Sequence, residues 1–125
     1  MTQRPIAEIR RAHPPRFNGR VGRSRADLLS KLKAATGLTK KDLIGRGLEL
    51  LDAAERAGHM PELEAEPPHE LTRICIDLSP RSRFILSRLR RQRYIVGGLI
   101  EMSIDLLLRD RRVADVARAA AGFRR

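Results

Sequence analysis

Aromatic residues are nearly missing: the 125-residue chain has no Trp, one Tyr (Tyr94) and three Phe. Readers of single strands and RNA loops stack splayed-out bases on aromatic rings, and this chain has little to stack them on. Its core must come from Leu, Ile, Val and Ala. Cysteine occurs once, as Cys75, which excludes an intramolecular disulfide and a cysteine-built zinc site and fits a reducing compartment. No run of about 18 apolar residues is present, as a membrane-spanning helix requires. Residues 1–11 lack the apolar stretch of a secretory signal. A cytoplasmic protein without a membrane partner is expected. The three histidines, His13, His59 and His69, stand in Pro-rich stretches without metal-ligand spacing. No nucleophile motif or Gly-rich phosphate loop occurs, and Tyr94 lacks the His cluster a relaxase would need. The chain is expected to be no enzyme and to hold no metal or cofactor.

Cations are abundant. Lys and Arg number 26 against 15 Asp and Glu, a net charge of +11. Of these cations 22 are Arg, whose planar fork suits phosphate and guanine. A polyanionic partner is implied. The charge is clustered: residues 57–70 hold four Glu and no Lys or Arg, while 81–93 hold six Arg and no acid.

The sequence repeats one plan at an offset of about 56 residues. Each copy has a short extended run, a basic amphipathic helix, a tight turn and a more apolar helix. In the first copy the extended run is 17–23, with Ser24 as N-cap of a helix carrying Leu28, Leu32 and Ala35 on one face. Gly37 ends that helix, and Thr39 caps the next, with Asp42 completing an imperfect capping box. Leu43, Ile44, Gly47, Leu48 and Leu51 form the apolar face that follows. In the second copy Ile74, Ile76 and Leu78 alternate with Arg73, Cys75 and Asp77, a half-buried strand. Ser79-Pro80 starts a helix with Ile85 and Leu89 inward and Phe84 flanking. A turn near Arg93 leads to a last face of Leu99, Ile100, Ser103, Ile104 and Leu107. Gly97-Gly98 at its start predict a late beginning for that helix, and Gly19 and Gly22 weaken the first strand. Ser103 stands where Gly47 stood. A close helix crossing is expected there, tolerant of Ala at 47 but overfilled by Leu.

Residues 1–15 read as a flexible basic arm and 57–70 as an exposed acidic, Pro-rich linker. The tail 110–125 reads as a basic helix with Val113, Val116 and Ala120 on one face.

A strand, a capped basic helix, the turn Gly37-Leu-Thr39 and the helix Ile44-Gly-Arg-Gly47-Leu48 resemble the ribbon-helix-helix family of DNA-binding proteins. The second copy matches through Leu78-Ser-Pro80 and Ile100-Glu-Met-Ser103-Ile104. The resemblance covers 16–56 and 71–109. It is to the tandem kind, where one chain supplies both halves, as in TraY-type relaxosome proteins and, more closely, the overdrive- and border-binding proteins of VirC operons on Ti-type plasmids. It implies a mainly α fold with a short two-stranded antiparallel β-ribbon. It further implies two repeats forming a pseudo-twofold domain that folds as a monomer. Its second turn, Arg93-Tyr94-Ile95, departs from the Gly-x-Thr pattern.

Paired as a ribbon, the strands would turn Phe17, Val21, Ile74, Ile76 and Leu78 inward and Asn18, Arg20, Arg73 and Cys75 outward. A two-stranded ribbon fits the major groove of B-DNA. Arg20 and Arg73 suit guanine, Asn18 suits adenine, and Cys75 completes the base-reading set. Phosphate contacts are expected from Arg16, Arg23, Thr39, Lys40, Lys41, Arg81 and Arg93, since a helix start offers free N–H groups to an anion. The function expected is sequence-specific binding of double-stranded DNA as an accessory factor in plasmid or T-DNA processing and transfer, beside other transfer proteins. The alternative is a repressor or antitoxin of the same fold, with 109–123 as a toxin-binding tail. A scaffold whose basic surface meets an acidic protein or membrane is a third reading.

Overall fold

The computed structural model describes residues 13–64 and 67–123. The order of elements is β1 (Arg16–Gly22), α1 (Arg23–Thr36), α2 (Lys40–Arg56), a single 3-10 turn (Pro68–Glu70), β2 (Leu71–Asp77), α3 (Pro80–Arg91), α4 (Val96–Arg109) and α5 (Arg111–Phe123). The chain is thus mainly helical with one two-stranded sheet, as the sequence predicted. β1 and β2 pair antiparallel, with Phe17 opposite Ile76, Asn18 opposite Cys75 and Arg20 opposite Arg73. Because strand side chains alternate in direction, Phe17, Val21 and Ile76 are buried while Arg16, Asn18, Arg20, Arg73, Cys75 and Asp77 are exposed. Gly19 and Gly22 do not interrupt β1. The Phe17 ring lies against Gly19, where a Cβ would stand 2.8 Å from Cζ, so glycine there makes room for the ring.

The core is aliphatic, and its centre is the contact of α2 with α4. Leu43, Ile44, Leu48 and Leu51 on α2 and Leu99, Ile100 and Ile104 on α4 are fully buried. A Cβ added at Gly47 would lie 2.6 Å from the Ser103 carbonyl oxygen and 2.9 Å from Ser103 Cβ. This is the close crossing expected from the two small residues. Ser103 keeps its hydroxyl satisfied within α4 by donating to the Leu99 carbonyl at 2.8 Å.

Charged staples tie the helices together. Asp52 on α2 is buried and accepts from Arg56 Nε at 3.1 Å and from Arg88 Nε of α3 at 2.9 Å. Arg88 also reaches Glu55 at 2.7 Å. Arg25 on α1 forks onto Asp105 of α4 at 3.1 and 3.2 Å. Arg46 on α2 forks onto Asp110, between α4 and α5, at 2.7 and 3.2 Å.

Several expectations are corrected. Ser24 is not the cap of α1: the helix starts at Arg23, with Gly22 as N-cap and no side-chain cap. The Gly22 N–H donates instead to Glu101 of α4, a buried carboxylate. The buried face of α1 is Ala26, Leu29 and Thr36, while Leu28 and Leu32 are half-buried and Ala35 is exposed. The helix starts two residues earlier than a cap at Ser24 allows, and its buried stripe runs through Leu29 rather than Leu28. α4 does not begin late; Gly97 and Gly98 lie in its first turn, where a Cβ would come within 3.2 Å of the Arg20 carbonyl oxygen or Leu63 Cδ2 respectively. The linker is not wholly exposed, because Met60 packs on the core and Leu63 against Gly98. In α5 Val113 is buried but Val116 is 38% exposed.

His13 is also unlike its expected place in a flexible arm. It is buried, its N–H donates to Ser87 Oγ at 2.8 Å, and its carbonyl accepts from Arg83 Nε at 2.7 Å. The rest of the arm, residues 1–12, lies outside the described residues.

Candidate nucleic-acid interface

The ribbon's outer face brings together all four residues expected to read bases. Asn18 and Cys75 face each other across the strands, and Arg20 faces Arg73. All are exposed. Like charges directly opposite each other weaken a strand pair. Among the described residues neither guanidinium has an ion-pair partner. The third outer pair differs: Arg16 donates from Nε to Asp77 at 2.7 Å. The Asp77 carboxylate raises the already high pKa of Arg16 by hydrogen bond and charge. Both side chains are more than 60% exposed, so the pair is open to exchange for another anion. One end of the face is therefore neutralised and the other carries two free cations.

The residues expected to meet phosphates are spread over several elements. Arg23 is the exposed first residue of α1. At the start of α2, Thr39 Oγ1 accepts from the Asp42 N–H at 3.1 Å. Lys40 and Lys41 follow in the first turn, half-buried and exposed. The cap uses one of the first-turn N–H groups and leaves others with the positive end of the helix dipole. Arg81 is engaged within the chain: its guanidinium lies 3.8 Å from Asp52 and 5.8 Å over the Phe84 ring centroid. Phe84 is 56% exposed, so it flanks the core without entering it.

Arg93 takes a backbone conformation sequence reasoning missed. Its φ is +71°, the only non-glycine among the described residues with positive φ. It closes α3 as Gly37, with φ +74°, closes α1. No Gly stands there, so the left-handed conformation, unlike the turn itself, carries no local sign in the sequence. Arg93 and Arg20 both line a cleft of about 540 Å³ between the ribbon and the start of α4.

Among the described residues no group of three or more His, Cys, Asp and Glu is gathered to hold a metal, and no helix is long and apolar enough to cross a membrane. His13 carries no partner on either ring nitrogen. Its burial, together with the Arg90 and Arg83 charges, lowers its pKa from the usual 6.5. Both effects favour the neutral imidazole. Comparison with known proteins yields no match: no family model fits the sequence, and neither a curated protein nor a solved structure matches it.

Proposed function

We propose that this protein binds double-stranded DNA by laying the outer face of the β1–β2 ribbon in the major groove. The observation that carries the reading is the exposed Arg20–Arg73 pair, flanked by Asn18 and Cys75. Two opposed cations without carboxylates cost stability in the free protein. Forked donors at that spot match the acceptor edge of guanine. The net charge of +11 supplies the long-range attraction, and the α2 start with Lys40 and Lys41 is a phosphate seat beside the ribbon.

The ribbon-helix-helix likeness extends this to a single chain built from two related halves about a pseudo-twofold axis. Element boundaries support it. At the offset of 56, Gly37 corresponds to Arg93, Lys40 to Val96 (first residues of α2 and α4), and Gly47 to Ser103. Such a chain folds as a monomer and presents two unlike strands, so it favours an asymmetric or imperfectly symmetric site. The role we propose is positioning a plasmid or T-DNA transfer complex on its site. A repressor or antitoxin is the other role open to the same module. The packing of α5 on α1 through Val113 weighs against α5 as a free toxin-binding tail.

Selection of duplexes from a random pool, followed by anisotropy titrations, tests the reading. Arg20→Ala or Arg73→Ala should cost about 1–3 kcal/mol on the selected site and relax its base preference. Lys40→Ala or Lys41→Ala should weaken all duplexes alike and lower the salt slope by about one. Equal losses on selected and random DNA for the arginine variants would overturn the ribbon assignment.

A further inference from the structure

We propose that the cleft between the ribbon end and the start of α4 binds a small monocarboxylate with an apolar body, and that its occupant draws Arg20 away from the outer ribbon face. The second half of this statement rests on the DNA-binding reading above; the first does not.

The cleft has a volume of about 540 Å³, within the range of about 300–1,000 Å³ usual for small-ligand sites. Most of its wall is apolar: Leu63 from the linker, Leu71 from β2, and Ile95 and Met102 around the start of α4. These side chains are not fully covered. Leu63, Leu71 and Met102 are half-buried, and Ile95 is 80% exposed. Apolar surface gathered in a concave site gains by being covered. Gly97 and Gly98 line the cleft without side chains and let the Arg20 carbonyl and Leu63 approach the helix start.

Charge selects the occupant. Two arginines, Arg20 and Arg93, line the cleft with one acidic residue, Glu101. Glu101 is already committed, since its Oε1 accepts from the Gly22 N–H. The start of α4 has no side-chain cap, so the positive end of its helix dipole adds to the potential of the cleft. The cleft therefore favours an anion. Its walls are too apolar for a polyanion, and a DNA phosphate has no apolar body to cover Ile95. One carboxylate on a hydrocarbon or aryl body meets both demands. Arg20 belongs to the cleft and to the ribbon's outer face at once. A carboxylate paired with it competes with a base edge for the same guanidinium. The site is thus placed to lower DNA affinity when filled.

Sodium octanoate serves as the probe, with octanol and sodium acetate as controls lacking the charge or the body. Ionic strength is held constant because DNA binding falls with salt. Amide NMR and calorimetry on the free full-length protein should show saturable octanoate binding with shifts at Gly97 and Gly98. Octanol and acetate should bind at least about tenfold more weakly. Arg93→Gly removes the cation while keeping the positive φ, so the fold survives. It should weaken octanoate about tenfold, whereas Arg91→Ala, on exposed α3 surface outside the cleft, should not. Saturating octanoate should weaken duplex binding severalfold, and octanol should not. No saturable binding, equal binding of octanol, or unchanged binding by Arg93→Gly overturns the site. Octanoate binding without any change in DNA affinity overturns the coupling alone. Failure of the unliganded protein to bind any duplex would refute the ribbon reading and leave the octanoate titration to decide the site.

Discussion

Gly47→Ala is the smallest perturbation that questions the centre of the fold. The added Cβ would stand 2.6 Å from Ser103 O, 2.9 Å from Ser103 Cβ and 3.0 Å from Ser103 C. Carbon contacts are favourable near 3.5–4.0 Å, so all three are repulsive. Two of the three atoms are backbone within α4 and cannot rotate away. Relief requires α2 and α4 to separate, which loosens Leu43, Ile44, Leu48, Leu99, Ile100 and Ile104, all fully buried. Overpacking of this kind costs about 1–3 kcal/mol. Replacing a mid-helix glycine returns about 1 kcal/mol of helix propensity. The net is a loss of up to about 2 kcal/mol, or up to roughly 10 °C in melting temperature for a chain of this size. Alanine is thus not free of cost here, and leucine, as expected from the sequence, should be worse. Adding Ser103→Gly removes the contact with Ser103 Cβ but not the closer one with its carbonyl, so it should recover only part of the loss. Thermal and urea melts followed by circular dichroism decide the matter. An alanine variant melting at or above the parent would refute the close crossing.

Acid should loosen the staple at Asp52. Burial raises the pKa of this carboxyl, but hydrogen bonds from Arg88 and Arg56 outweigh burial and hold it below the usual value. Its stabilisation is therefore complete above the unfolded pKa of about 3.9 and is lost as pH falls through the lower folded value. Asp52→Asn should cost about 1–3 kcal/mol at pH 7, and urea melts should show the gap to the parent narrowing in the acid window; a pH-independent gap would contradict the charge argument. His13 works at higher pH: its pKa is lowered, so its docked neutral form is favoured above the ordinary value of about 6.5 and loses ground as pH drops below it. The protection factor of the His13 amide against hydrogen exchange, corrected for the intrinsic rate at each pH, should fall below that pH in the parent and not in His13→Phe.

What could be read from the sequence was whatever follows from period and cap. Ile74, Ile76 and the exposed residues between them alternate, and alternation survives tertiary context because one face of a ribbon has nowhere else to go. Thr39 and Ser79 cap their helices as expected, each accepting from the N–H three residues on, at 3.1 Å. The apolar faces of α2 and α4 are dense enough that a shift in boundary does not move them. α1 is sparser. Once Gly22 replaced Ser24 as its cap, Leu29 rather than Leu28 became the fully buried leucine. The Gly22 N–H found its partner in Glu101, 79 residues away, and no local rule contains that information.

The candidate site divides along the same line. The outward set Asn18, Arg20, Arg73 and Cys75 follows from strand parity and register alone. The cleft does not, because it is made by three distant pieces: β1 with Arg20, the linker with Leu63, and the bare start of α4. Gly97 and Gly98 looked like a flaw in a helix start, since helix propensity weighs only the chain's own backbone. In the fold their value lies in what comes close to them, the Arg20 carbonyl and the Leu63 side chain. Arg93 is the same lesson from the other side. A left-handed residue normally announces itself as Gly or Asn, and here an arginine accepts the strain, roughly 1–3 kcal/mol for such a conformation. The strained residue lines the same cleft as Arg20, and strain of this kind is kept where the surrounding structure holds it in place.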